Sequence, residues 1–210
     1  MSCDFSLEMQ CFADGLRPVA GVDEAGRGPL AGPVVASAVI LPETGDFSLF
    51  DDSKKLSEKR RENAYGRIEE QEWPGLHWAV GMADVREIEE LNILRATHLA
   101  MERAVKGLKV VPAVSLIDGK RATYYTLPQR PFVKGDSLSL SIAAASIIAK
   151  VTRDRIMVEA AKMYPEYGFE RHKGYGTRAH VEKLKTHGPC PIHRKTFEPV
   201  AQLTLSRNPS

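Results

Sequence analysis

The chain has 210 residues, of which 27% are charged and 43% hydrophobic, and its formal net charge is +2 at pH 7. This length and composition predict a folded protein of one domain with at most a small appendage, and they argue against a disordered or fibrous chain. The three cysteines form no CxxC pair, and the longest apolar stretches are too short to span a bilayer. We therefore expect free thiols, a cytoplasmic protein and no membrane partner.

The first half of the chain predicts an arm, a hairpin, a helix and a third strand. Residues 1–17 are weakly patterned and predict an N-terminal arm or short helix. The apolar segments Val19–Asp23 and Val34–Leu41 predict two strands, and the Gly-Pro turns between them predict a hairpin. Ser57 is a typical N-cap for a charged helix that ends near Gln71, and His77–Ala83 predicts the third strand.

The second half alternates between helices and strands. Val85–Val105 has apolar residues on one face and predicts an amphipathic helix. Ala113–Asp118 predicts a buried strand, and Tyr124–Leu127 a short one. Residues 138–163 predict a long helix whose small residues allow close packing on a sheet, and a basic helix followed by a loop is expected from Thr177. Strands followed by interleaved helices and strands indicate an α/β layered domain with a mixed sheet.

Positive charge is concentrated near the C-terminus. The segment Arg171–Lys195 holds seven basic residues and one acidic residue, and a second basic run lies within Lys54–Arg61. Such local excess is typical of proteins that bind a polyanion. The alternative is that these residues form ordinary solvated helix faces.

Four carboxylates occupy informative positions. Asp23 and Asp118 each end an apolar strand, where open α/β sheets place ligands. Asp136 precedes the long helix, so it could instead be an N-cap. Glu24 follows Asp23, and neighbouring residues on a regular strand point to opposite faces. Both side chains reach one site only if the strand ends or bulges there; alternatively, Glu24 contributes its backbone carbonyl.

Three or four carboxylates can hold divalent cations and leave positions open for water and phosphate. Two such ions about 4 Å apart activate the attacking water and stabilise the leaving oxygen in phosphodiester hydrolysis. The chain has no histidine-rich or thiolate ligand set, which favours Mg²⁺ or Mn²⁺ over zinc.

Six stretches resemble the motifs of the type 2 ribonuclease H family, and within it the bacterial ribonucleases HII. They occur in the family's order and are Gly21–Pro33, Asp52–Leu56, Leu116–Gly119, Lys134–Asp136, Ala144–Asp154 and His172–Thr177. The resemblance implies a ribonuclease H-like fold, with a five-stranded mixed sheet flanked by helices and a helical C-terminal region. It also implies a catalytic domain over residues 18–200, followed by a tail over 201–210. One departure is Lys120, which adds a positive charge beside Asp118.

The resemblance further implies an endonuclease that hydrolyses the RNA strand of RNA–DNA hybrids. It would also incise duplex DNA on the 5′ side of a single ribonucleotide, leaving a 3′-hydroxyl and a 5′-phosphate. Its catalytic and metal-binding residues would be Asp23, Glu24, Asp118 and Asp136. The alternatives are a related metal-dependent nuclease that acts on another nucleic acid and an inactive hybrid-binding module.

Substrate recognition is expected from a glycine-rich turn, a tyrosine and several cations. Backbone groups of Gly26, Arg27 and Gly28 could probe the 2′-hydroxyl that distinguishes RNA from DNA, which is the role the resemblance implies for this turn. The resemblance places the ring of Tyr175 against the deoxyribose after the ribonucleotide, whereas the alternative is a core tyrosine. The expected phosphate contacts are Lys54, Lys134, Lys173 and Arg194. We expect a monomer, and no clamp-binding motif is evident, because the segment 202–205 lacks the aromatic pair of such a motif.

Overall fold

A computed structural model describes residues 3–50 and 56–207, with side chains up to residue 205. Five strands form one sheet: β1 Val19–Ala25, β2 Val34–Ile40, β3 His77–Ala83, β4 Val114–Asp118 and β5 Gln129–Phe132. Seven α-helices are present in the described ranges: α1 Ser6–Ala13, α2 Glu58–Glu69, α3 Val85–Lys106, α4 Leu140–Met163, α5 Phe169–His172, α6 Arg178–His187 and α7 Val200–Arg207.

The sheet is mixed, as predicted, and has the order β3-β2-β1-β4-β5. The predicted hairpin is confirmed, because β1 pairs antiparallel with β2, and β2 pairs antiparallel with β3. The other two pairs, β1 with β4 and β4 with β5, are parallel. The parallel pairing brings the carboxyl ends of β1 and β4 to the same edge of the sheet.

Helices cover both faces of the sheet. Alternate residues of β2 are buried in different clusters: Val34 and Ala36 pack in the cluster that contains α3, and Val39 packs in the cluster that contains α4. The long helix α4 lies very close to β1, because a Cβ built on Gly21 would lie 2.1 Å from the carbonyl carbon of Ser141. Only glycine permits this approach.

Two predicted elements differ from the structure. The predicted strand Tyr124–Leu127 is wrong, and the strand β5 follows it at Gln129–Phe132. Tyr125 is instead held by its side chain, whose hydroxyl lies 2.5 Å from that of Ser115. The predicted helix over 85–105 is interrupted at Asn92, which has a φ of 67°. The Asn92 side chain accepts a hydrogen bond from the Leu94 amide at 3.0 Å, so it caps the second part of α3.

The two ends of the described chain are helical. Glu8 of α1 is buried, and its carboxylate accepts hydrogen bonds from the Ser139 hydroxyl at 2.6 Å and the Ser141 amide at 3.0 Å. The first helix is thereby attached to the start of α4. At the other end, α7 extends into the segment that was expected to be a tail. None of the helices over residues 3–50 and 56–207 is long and apolar enough to cross a membrane.

Candidate active site

Three aspartates from separate parts of the chain meet at the edge of the sheet. Asp23 is near the end of β1, and Asp118 ends β4, the parallel neighbour of β1. The two aspartates lie side by side because Val22, just before Asp23, pairs with Ile117, just before Asp118. Asp136 lies in a 3₁₀ turn just before α4. One carboxylate oxygen of each aspartate lies within 4.8 Å of those of the other two. We call these three residues the aspartate cluster.

A strained turn places Asp136 in the cluster. The preceding Lys134 has a φ of 60°, in the left-handed region that is uncommon for a residue with a side chain. The next amide, of Gly135, donates a hydrogen bond of 2.6 Å to Asp118 Oδ1, so the turn is tied to the second aspartate. Asp136 is not the N-cap of α4, because the Ser139 side chain accepts from the Ile142 amide in that role.

The cluster is suited to a hard cation. Asp23 is 4% exposed, and its burial raises the pKa of its carboxyl well above the usual range; the charges of Glu24 and Asp118 raise it further. Hydrogen bonds from the Ser146 hydroxyl and the Glu24 amide act in the opposite direction. A divalent cation would relieve this repulsion, and three carboxylates are oxygen ligands that Mg²⁺ and Mn²⁺ prefer.

Glu24 points to a different partner from Asp23. Its carboxylate Oε1 lies 3.3 Å from the Arg27 guanidinium Nη1, and it is not part of the aspartate cluster. It nevertheless lines the same cleft, so β1 directs its two consecutive carboxylates to adjoining parts of one site. Its part in binding metal stays a prediction.

The cleft beside the cluster has a volume of about 280 Å³. Asp23, Glu24 and Asp118 line it together with the glycine-rich turn and Tyr175; three further lining residues are Arg61, Ser146 and Lys150. Sequence reasoning did not assign these last three to the site. Two features of the sequence could have indicated them. Ser146 and Lys150 lie one helical turn apart within a stretch that resembles the family, and Arg61 lies in a basic run.

Tyr175 is a surface residue of the cleft and not part of the core. Its side chain is 43% exposed, which excludes the core alternative. Two cations lie near its ring: the Lys150 ammonium and the Arg153 guanidinium are each 5.8 Å from the ring centroid. The turn therefore presents an aromatic face in a positively charged setting.

Two buried histidines support this turn. His193 Nδ1 accepts from the Cys190 amide at 2.9 Å, so its proton is on Nε2, which lies 3.0 Å from His180 Nε2. His180 must then accept there, and its Nδ1–H donates to the Tyr175 carbonyl at 2.9 Å. Burial lowers the pKa of both histidines, that of His193 to about 4, so both are neutral at pH 7. We call His180 and His193 the histidine relay.

The predicted phosphate contacts have different outcomes. Lys134 is exposed, and the half-buried Lys173 donates from its ammonium to the Glu170 carbonyl. Lys54 lies outside the described residues. The prediction for Arg194 is wrong: its side chain is fully buried and donates to backbone carbonyls beneath the glycine-rich turn, so no phosphate can reach it.

The sheet order and the aspartate cluster together match the ribonuclease H fold class with a candidate site for a divalent cation. The family model described as Ribonuclease HII matches residues 20–200. A Ribonuclease HII of Endomicrobium trichonymphae is 54% identical over 197 residues, which cover 93% of this chain and 92% of that protein. The chain belongs to the ribonuclease HII family.

Solved structures agree with this assignment. The crystal structure of ribonuclease H2 from Pyrococcus horikoshii OT3 is similar with a TM-score of 0.73 and 28% identity, covering 90% of this chain and 99% of that one. The crystal structure of Bst-RNase HIII in complex with Mn²⁺ shares the fold, with a TM-score of 0.67 and 19% sequence identity. The match covers 90% of this chain and 69% of that one. The chain is therefore a type 2 ribonuclease H, a divalent-metal-dependent endonuclease that acts on the RNA of RNA–DNA hybrids.

Proposed function

We propose that this enzyme also incises duplex DNA on the 5′ side of a single embedded ribonucleotide, leaving a 3′-hydroxyl and a 5′-phosphate. The observation that carries the proposal is that the aspartate cluster, the Gly26–Gly28 turn and the exposed ring of Tyr175 adjoin one cleft. The site can therefore examine the sugars on both sides of one phosphate. A single chain provides all these groups, and we propose that a monomer is active.

Asp23, Asp118 and Asp136 would hold the divalent metal, with Glu24 as a further ligand. Bound cations would supply Lewis acidity for attack by water and for departure of the 3′ oxygen. We propose Mg²⁺ or Mn²⁺, since the donor atoms are all oxygens and a relative of the same fold is described with Mn²⁺. The protein's own contribution is to hold three carboxylates close together, where their mutual repulsion favours the binding of a cation.

Selection of the ribose would be divided between two elements. The backbone of the Gly26–Gly28 turn is small and fixed, so it can form hydrogen bonds with a 2′-hydroxyl that a deoxyribose lacks. The ring of Tyr175 would pack on the next sugar and favour a deoxyribose there. Lys134, Lys173 and Lys54 would contact phosphates, which position the duplex without reading its sugars.

A cleavage map tests this function. The substrate is a DNA duplex with one ribonucleotide, labelled at either end of the modified strand, and it is incubated with Mg²⁺ and separately with Mn²⁺. The all-DNA duplex of the same sequence is the control. We expect one cut, 5′ of the ribonucleotide, whose upstream fragment has a 3′-hydroxyl that a DNA polymerase can extend.

Other outcomes separate the alternatives. Cleavage of the all-DNA duplex would indicate a nuclease with another substrate. Binding of a hybrid without cleavage in either metal would indicate an inactive binding module. Cleavage of a continuous hybrid without cleavage at the single ribonucleotide would refute the proposed extension while leaving the family's activity intact.

A further inference from the structure

Two fully buried arginines lie beneath the glycine-rich turn. Arg153 comes from α4, and Arg194 from the segment between α6 and α7. In both guanidinium groups, all three nitrogens donate to backbone carbonyls, not to carboxylates. The acceptors of Arg194 are the carbonyls of Gly26 at 2.6 Å, Arg27 at 2.9 Å and Gly32 at 3.0 Å. Those of Arg153 are the carbonyls of Ala31 at 3.0 Å, Lys173 at 3.0 Å and Pro33 at 3.1 Å.

These contacts determine the orientation of the turn. In a trans peptide the N–H points away from the carbonyl of the same unit. Because the carbonyls of Gly26 and Arg27 face Arg194, the N–H groups of Arg27 and Gly28 face the open side of the turn. Arg153 binds the carbonyls of Ala31 and Pro33, which follow the glycine-rich turn, and packs against Gly26 itself. Its third acceptor is the Lys173 carbonyl, so Arg153 joins this segment to the turn that carries Tyr175.

The arrangement needs arginine and a glycine. A buried cation without a carboxylate partner is costly, and burial together with the charge of Arg153 lowers the pKa of Arg194 to about 9. A planar guanidinium spreads five N–H donors over three nitrogens in a fixed fork, whereas the three donors of a lysine ammonium all radiate from one nitrogen and cannot reach carbonyls this far apart. A Cβ on Gly26 would lie 2.0 Å from Arg153 Nε, so the turn fits against the arginine only as glycine.

We propose that Arg153 and Arg194 are positioning residues for ribose selection: they hold the Gly26–Gly28 turn in the one backbone geometry that recognises the 2′-hydroxyl. This inference rests on the proposed function, since it assigns that function's sugar discrimination to two residues that do not touch the substrate. Their charges also lie beneath the turn, but their role is geometric, because backbone carbonyls occupy their donors.

The test compares Arg153→Lys and Arg194→Lys with the wild type. Each variant keeps a long basic side chain and removes the fork of donors. Two constants are measured with Mg²⁺: KM for the duplex with one ribonucleotide, and Ki for the all-DNA duplex as a competitor. We expect the ratio of Ki to KM to fall about tenfold in both variants, because the 2′-hydroxyl is no longer recognised. The Ki itself should stay within twofold, since phosphate contacts are retained.

Two control variants are matched in position and charge. Arg155→Lys changes an exposed arginine two residues from Arg153 on the same helix, and Lys195→Arg changes the exposed neighbour of Arg194. Both should keep the wild-type ratio. A variant that merely lost folded protein would show a lower kcat with both constants unchanged, so the ratio separates positioning from stability.

A measurement on the wild type keeps the inference testable if either variant fails to fold. The backbone ¹⁵N order parameters of Gly26 and Gly28 should be about 0.85, as in a rigid strand, and values below about 0.6 would overturn the inference. Folded variants with an unchanged ratio of Ki to KM would also overturn it. If the wild type fails to cleave at the ribonucleotide, the proposed function itself is refuted. If both variants still cleave selectively at the ribonucleotide, only the positioning role of the two arginines is refuted.

Discussion

The histidine relay should make the protein less stable as the pH falls below neutrality. Burial lowers the pKa of His193 to about 4, whereas an unfolded histidine has a pKa near 6.5. The folded state therefore binds a proton less readily than the unfolded state. Stability is fully present above about pH 6.5 and is lost as the pH falls toward 4. The structural reason is that a proton on His193 Nδ1 or His180 Nε2 would oppose an existing donor.

The magnitude follows from the two pKa values. Between pH 7 and pH 5 the difference in protonation corresponds to a loss of about 2 kcal/mol in the free energy of unfolding, and of about 3 kcal/mol by pH 4. Urea unfolding at pH 7 and pH 5 measures this loss, and the pH 5 limit keeps most carboxylates out of the titration. The His193→Asn variant, which cannot titrate, should lose about 2 kcal/mol less than the wild type over the same interval.

His187→Asn is the matched control, because His187 is exposed on α6 and should leave the wild-type pH dependence unchanged. Equal losses in the wild type and in His193→Asn would refute the reasoning about the relay. A loss in the opposite direction, with stability rising toward pH 5, would show that the buried imidazoles are charged in the folded protein.

Three further predictions concern the site. Asp23→Asn removes a carboxylate of the aspartate cluster, so turnover should fall at least 100-fold. The amide avoids the burial and the like charges that oppose ionisation of Asp23, so the melting temperature in EDTA should hold or rise, and a drop of several degrees would contradict this. Tyr175→Ala should reduce cleavage of the single-ribonucleotide duplex about tenfold to 100-fold and affect continuous hybrids less, whereas Tyr175→Phe should retain most activity. Equal losses on both substrates would refute the contact between the Tyr175 ring and the deoxyribose after the ribonucleotide. Lys134→Ala should weaken binding to all duplexes alike and reduce the salt slope by about one, measured by anisotropy from 50 to 200 mM salt, and an unchanged slope would remove Lys134 from the phosphate contacts.

Much of the fold could be predicted because the sequence pattern is locally consistent. The four strands before β5 and the helices α2, α3 and α4 occur close to their predicted ranges, since apolar periodicity and caps such as Ser57 define them. The strand β5 was not predicted because it is short and contains Pro131. A proline is tolerated there because β5 lies at the edge of the sheet.

The aspartate cluster could be partly predicted, because strand ends of a parallel pair meet at one edge. The position of Asp136 depends on a left-handed Lys134, which no local propensity indicates. The burial of Arg194 could not be predicted either, because arginine is almost never fully buried and its acceptors lie 162 to 168 residues away in the chain. Long-range contacts of this kind become visible only in the folded structure.

The central claim is that the aspartate cluster carries out metal-dependent hydrolysis of RNA paired with DNA. Single-turnover cleavage of a uniform RNA–DNA hybrid by the wild type and by Asp118→Asn, titrated with Mg²⁺, tests it most directly. The account predicts metal-dependent cleavage by the wild type and a rate at least 100-fold lower for Asp118→Asn, with binding of the hybrid retained. Near wild-type cleavage by Asp118→Asn in Mg²⁺ would contradict it.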